Sequence, residues 1–99
     1  MLRVSGHWVS PAHVEAALIS HPDVVEAAVI GKRDEDELIK PKAFVVLRQG
    51  VAASDALCEE LKAHVKATIA PYQYPRWIEF RGALPKTATG KIQRYKLRE

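Results

Sequence analysis

Two apolar runs set the terms for what this chain can become. Val24 to Ile30 is β-branched and apolar, with only Glu26 interrupting it, and Ala43-Phe44-Val45-Val46-Leu47 lies inside a second stretch from Lys42 to Arg48. Both read as strands, because β-branched and aromatic side chains suit a pleated, half-buried surface. Gly31 to Glu37 between them is a charged turn, so the two strands are expected to pair antiparallel. Gly50 marks the exit from the second.

Helical patterns flank this pair. Ser10 is a suitable N-cap, and Pro11 suits the first helical position, where a missing N–H costs nothing. Val14, Ala17 and Leu18 then share a face, and His21-Pro22 ends the helix. Ser54 caps a second helix. Its Leu57, Leu61 and Val65 form a stripe at i, i+4 and i+8, with Cys58 and Ile69 beside it. Glu59, Glu60, Lys62 and Lys66 cover the outer face, and Pro71 stops it. Pro71-Tyr72-Gln73-Tyr74-Pro75 is a stiff connector, since each proline holds its neighbour extended. Arg76-Trp77-Ile78-Glu79-Phe80 alternates like a half-buried strand. Met1 to Val9 is a short extended segment broken at Ser5-Gly6, and a short basic helix is expected at the far end. The expectation is an α+β domain: a small antiparallel sheet of about three strands, plus a short N-terminal hairpin, covered by helices.

The 99 residues fit one domain with a modest core. No apolar run approaches the roughly 20 residues of a membrane-spanning helix, and no signal peptide is expected. The single cysteine, Cys58, cannot form an internal disulfide, which fits a reducing compartment; a cytoplasmic location is expected. The net charge is +3. From Thr87 onward, Lys91, Arg94, Lys96 and Arg98 meet no acid before Glu99, and this asymmetry points to an anionic partner.

The most distinctive stretch is Leu84-Pro85-Lys86-Thr87-Ala88-Thr89-Gly90-Lys91-Ile92. Proline, small hydroxyl residues and glycine make a tight polar turn, and Lys91 stands beside the glycine with little bulk around it. It is not a phosphate-binding P-loop. That motif needs two glycines with four residues between them and Ser or Thr after the lysine. Here seven residues separate Gly82 from Gly90, and Ile92 follows Lys91. The histidines His7, His13, His21 and His64 lack close ligand spacing, and there is no cysteine pair, so no structural metal is expected. Cys58, on the apolar side of its helix, reads as a small hydrophobe and not as a nucleophile.

Three separated segments resemble the C-terminal domain of the adenylate-forming superfamily, which includes acyl-CoA synthetases, peptide-synthetase adenylation domains and luciferases. Arg3-Val4-Ser5-Gly6-His7-Trp8-Val9-Ser10-Pro11, with Val14-Glu15, is similar to the family pattern K-x-x-G-x-x-I-x-P-x-E-I-E. Ala70-Pro71-Tyr72-Gln73-Tyr74-Pro75 is similar to P-x-Y-x-x-P. Leu84 to Lys91 matches L-P-K-T-x-x-G-K. The wording most resembles the aryl-CoA ligases, through Val4-Ser5-Gly6, Lys40 to Leu47 and Tyr74 to Phe80. Two departures stand out. Arg3 replaces the motif lysine, keeping the charge on a planar fork. His13 replaces the motif's first glutamate, which removes the reciprocal capping-box bond and leaves the Ser10 cap.

The resemblance implies a lid domain of an AMP-forming acid–thiol ligase, acting on benzoate or a related aryl or acyl carboxylate. ATP and coenzyme A would be its substrates. Its partner would be its own N-terminal domain, which would also carry the Mg2+ site, and the hinge would lie just before Met1. Neither nucleic acid nor a membrane is an implied partner. Lys91 would be catalytic in adenylation. Ser5, Gly6, His7 and Trp8 would line the pantetheine tunnel, while Lys66, Tyr72, Tyr74 and Arg76 would meet the nucleotide end of coenzyme A. The resemblance also implies reversible acetylation of Lys91, which would remove the charge that adenylation requires. Two other readings stand beside this one. The chain could be part of an adenylation domain serving a carrier protein. It could instead be a stand-alone basic module binding nucleic acid through Lys86, Lys91, Arg94, Lys96 and Arg98. That last reading predicts salt-sensitive binding.

Overall fold

The computed structural model describes residues 2–4, 7–69, 74–90, 93 and 96–97; for residues 2–4, 7 and 8 it describes the strand path alone. A hairpin of β1 (Leu2–Val4) and β2 (His7–Val9) leads into helix α1 (Pro11–Ile19). Strands β3 (Val24–Arg33) and β4 (Ile39–Leu47) follow, then helix α2 (Asp55–Thr68) and strand β5 (Trp77–Phe80). The sheet runs β3-β4-β5. The expected α+β domain, three strands plus a hairpin with helices packed on the sheet, is the domain observed.

One pairing differs from expectation. β3 and β4 are antiparallel, as anticipated, but β5 lies parallel to β4, with Lys42 opposite Trp77 and Val45 opposite Phe80. The sheet is therefore mixed. The cause is the connection. A two-residue turn can only reverse a chain, whereas the long link through α2 carries it back to the same end of the sheet before β5 begins. The β3 strand also runs on through Arg33, beyond the expected boundary at Ile30. The turn is confined to residues 34–38, where Asp34 Oδ1 accepts from the amides of Asp36 (2.9 Å) and Leu38 (3.0 Å). Glu37 takes a positive φ of 61° there.

Both faces of the sheet are covered, by different means. On one face Ala27, Val29, Ala43 and Val45 meet Val14, Ala17 and Leu18 of α1 and Leu57, Leu61 and Val65 of α2, with Ile78 and Phe80 at the margin. On the other, Ala28, Ile30 and Phe44 are covered by Leu84 and Leu97 from the segment after β5. The outer strand β3 is tied to α1 by a buried acid. Glu15 is 6% exposed, and its Oε2 accepts the Val29 amide at 2.7 Å. An edge amide that would otherwise be buried without a partner is thereby satisfied.

The two helix starts behave differently. Ser54 Oγ accepts from the Leu57 amide at 3.1 Å, as expected of a cap. Ser10 occupies the capping position of α1, but its side chain makes no capping bond. The amide it would take, that of His13, goes instead to the Ser10 carbonyl at 3.1 Å, and Val14 joins it at 3.2 Å. The expected side-chain cap is replaced by a tightened first turn.

Leu61 is fully buried at the contact of α2 with the sheet. Leu61→Ala is expected to cost about 2–5 kcal/mol, read from urea denaturation as a lower midpoint at unchanged slope.

Candidate functional site

The polar turn singled out in the sequence hangs between two buried leucines. Leu84 is 6% exposed and Leu97 is 2% exposed, and both pack on Phe44, Ala28 and Ile30. Inside that span the backbone closes twice. The Pro85 carbonyl accepts from the Gln93 amide at 2.8 Å, and the Thr87 carbonyl accepts from the Gly90 amide at 2.9 Å. The Thr87 and Thr89 hydroxyls meet at 2.9 Å. Gly90 has a φ of 87°, and a Cβ built there would touch nothing within 4 Å. Glycine is therefore demanded by the backbone angle, not by lack of space. Lys86 reaches sideways from the turn, with its Nζ on the carboxylate of Glu26 in β3. Lys91 itself lies outside the described residues, directly after this turn.

Beneath the turn, on the same face of the sheet, is a charged network. The Lys42 side chain is only 7% exposed, and its Nζ lies 3.3 Å from Glu79 Oε1. Arg81 Nε donates to Glu79 Oε2 at 2.5 Å. Lys42 and Arg81 flank the Phe44 ring, at 4.9 Å and 4.6 Å from its centroid. Glu79 is thus the counter-ion to two cations held against one aromatic ring. The Arg81 hydrogen bond, foremost, and Lys42 beside it hold its carboxyl below the usual carboxylate range. Sequence reading did not single out this trio. Glu79 and Arg81 lie 37 and 39 positions beyond Lys42 and reach it only through the parallel pairing of β4 with β5, which the sequence does not announce.

The residues proposed to meet coenzyme A fall into three groups. Ser5, Gly6 and Tyr72 lie outside the described residues, as do the side chains of His7 and Trp8, whose backbone is in β2. Lys66 and Tyr74 are brought together: the ammonium sits 4.3 Å from the ring centroid, at the C-terminal end of α2. Tyr74 is half-buried against the main core. Arg76 is nearby in the chain, 3.5 Å from Glu35 and 5.8 Å from the Trp77 ring centroid. It therefore stands at the rim of the sheet between an acid and an aromatic.

The histidines are placed by the fold more closely than their spacing suggests. His21 Nε2 lies 2.6 Å from Glu60 Oε2, and its Nδ1 accepts the Asp23 amide at 3.1 Å. His64 packs edge-on against it at 5.2 Å, and its Nε2 lies 2.7 Å from Ser20 Oγ. Ligand atoms of His21, Asp23 and Glu60 fall within 4.8 Å of one another. Both nitrogens of the His21 ring are engaged, however, so this group is a clamp between the end of α1 and the outer side of α2. Cys58 is half-buried, and burial pushes its thiol up, which suits an unreactive packing residue. Among the described residues, no helix is long and apolar enough to cross a membrane.

This chain belongs to the AMP-binding enzyme C-terminal domain family, which matches residues 13–91. It is 67% identical over 98 residues to the benzoate–CoA ligase of Thauera aromatica, covering 99% of this chain and 19% of that protein. It is 57% identical over 100 aligned residues to the 4-hydroxybenzoate–CoA/benzoate–CoA ligase of Rhodopseudomonas palustris, again over 19% of the relative and all of this chain. Among solved structures it superposes on the anthranilate CoA ligase AuaEII in complex with anthranoyl-AMP with a TM-score of 0.92. The identity there is 56%, over 98% of this chain and 19% of that one. The chain thus spans about a fifth of the length of the relatives it matches.

The lowered Glu79 carboxyl has a consequence in acid. Its folded pKa lies below the ordinary 4.5, so its stabilisation is present above that value and is lost as pH falls through the lowered one. Thermal melts from about pH 7 to pH 3 should show Glu79→Gln below wild type at neutral pH, with the gap closing under acid. The effect should be small, because the carboxylate is 40% exposed.

Proposed function

We propose that this chain is the C-terminal lid domain of an AMP-forming carboxylate–CoA ligase acting on benzoate or a related aryl acid. In the first half-reaction a carboxylate attacks the α-phosphorus of ATP, giving acyl adenylate and pyrophosphate. In the second, the coenzyme A thiol attacks the acyl carbon and AMP leaves. Lys91 serves the first half. Two anions must approach there, and one placed ammonium in a water-poor cleft offsets their repulsion and stabilises the charge that develops.

The observation that carries this reading is the construction of the turn. A loop that only had to be polar would not need its ends buried at Leu84 and Leu97, its backbone closed at Gln93 and Gly90, and a positive φ immediately before its lysine. Those features fix the backbone of the turn up to Gly90, the residue directly before Lys91 in the sequence. The names of the relatives support coenzyme A as the acceptor over a carrier protein, and an aryl acid as the substrate.

In the second pose the lid turns so that Ser5, Gly6, His7 and Trp8 border the pantetheine arm. Tyr72, Tyr74, Lys66 and Arg76 face the nucleotide end. Lys66 and Arg76 supply positive charge for phosphates there, and the tyrosines supply rings. Lid closure also shields the adenylate from water. Mg2+ accompanying ATP is assigned to the larger domain. The His21–Asp23–Glu60 group does not fit it, because an octahedral oxygen-seeking ion is poorly served by a ring whose two nitrogens are already bonded. A cytoplasmic location belongs to the same proposal.

The test separates the two halves. In the full-length enzyme, Lys91→Ala should lower adenylate formation by about two orders of magnitude or more, measured by pyrophosphate exchange. Thioester formation from supplied benzoyl adenylate should largely survive. Equal loss in both halves would overturn the two-pose account.

A further inference from the structure

Glu26 is the one charged residue in the apolar run of β3, and packing alone does not explain it. We infer that Glu26 and Lys86 form a positioning pair that sets the orientation of the turn presenting Lys91. This rests on the adenylation role proposed for Lys91.

The first observation is a β-bulge. The β3–β4 register shifts between Val24 and Glu26. Residues two apart on a regular strand share a face. Here Val24 packs in the helix-covered core, while Glu26 comes to the opposite face with Ala28 and Ile30, and the intervening Val25 is 53% exposed. Glu26 thus shares the face of the Leu84–Leu97 segment by ordinary alternation with Ala28 and Ile30, and the extra residue at Val25 returns Val24 to the helix-covered core.

The second observation is what that carboxylate meets. Lys86 Nζ lies on Glu26 Oε2, with the two side chains 39% and 26% exposed. Lys86 directly precedes Thr87, whose carbonyl closes the turn onto Gly90. Leu84 and Leu97 fix the two ends of the segment, and two fixed ends still allow the loop between them to rock about the line that joins them. A lateral tie from Lys86 to the sheet removes that freedom. The pair touches no reacting atom in this account; it acts through the loop.

The experiment uses the full-length enzyme with benzoate, ATP, coenzyme A and synthetic benzoyl adenylate. Variants are Glu26→Gln, Lys86→Met, the exchange Glu26→Lys with Lys86→Glu, and Lys91→Ala as reference. Each single change should lower kcat for adenylation about ten-fold with little change in KM, because a small misplacement of a catalytic group is costly. Thioester formation from benzoyl adenylate should stay at the wild-type rate, and the exchange should restore most of the adenylation rate. Unchanged adenylation in both single variants, with Lys91→Ala collapsed, would overturn the pair's role while leaving Lys91 in place. Equal loss in both half-reactions would overturn it as well, by showing a merely structural contact. Full adenylation in Lys91→Ala would instead remove the reading beneath it.

Discussion

The contact on which this domain depends is that of Phe44 with Leu84 and Leu97. It joins the centre of the sheet to the segment that carries the polar turn, and it covers a sheet face that the helices do not reach. Burying these side chains is worth roughly 2 kcal/mol each, so the segment is part of the core and not an appendage to it. The polar turn is held because its flanks are apolar and buried. Around the same ring, Lys42 and Arg81 share Glu79, which keeps two cations satisfied close to the turn.

Much of this was legible in the residues. Leu57, Leu61 and Val65 fell on one face and are the buried face of α2. The strand pair, the Ser54 cap and the half-buried alternation from Trp77 to Phe80 all read correctly, because each is a local pattern with a local cause. Most of what did not read was decided at a distance. Nothing local to Trp77–Phe80 says whether it pairs parallel or antiparallel, because the connection that precedes it settles that. Ser10 has the right chemistry for a cap, yet the amide it would bind is taken by its own carbonyl. Glu15 looked like a motif residue on a helix and is a buried acceptor for an edge strand.

The candidate site divides in the same way. The turn stood out in its composition, and it lies within the residues that match the family. Its attachment was not visible, because Glu26 and Lys86 are 60 positions apart and meet only when the segment after β5 folds back over the sheet. The charges proposed for the nucleotide end were visible as residue types. Their present partners were not: Lys66 rests on Tyr74, and Arg76 lies between Glu35 and Trp77.

The parallel placement of β5 bears on how the domain assembles. The β3–β4 ribbon is a local hairpin that can form early, whereas β5 must dock after a long excursion through α2, at a larger entropic cost of loop closure. The turn bearing the lysine follows this late strand directly. Opening of β5 would load the Phe44–Leu84–Leu97 contact, through which the turn stays attached to the early ribbon.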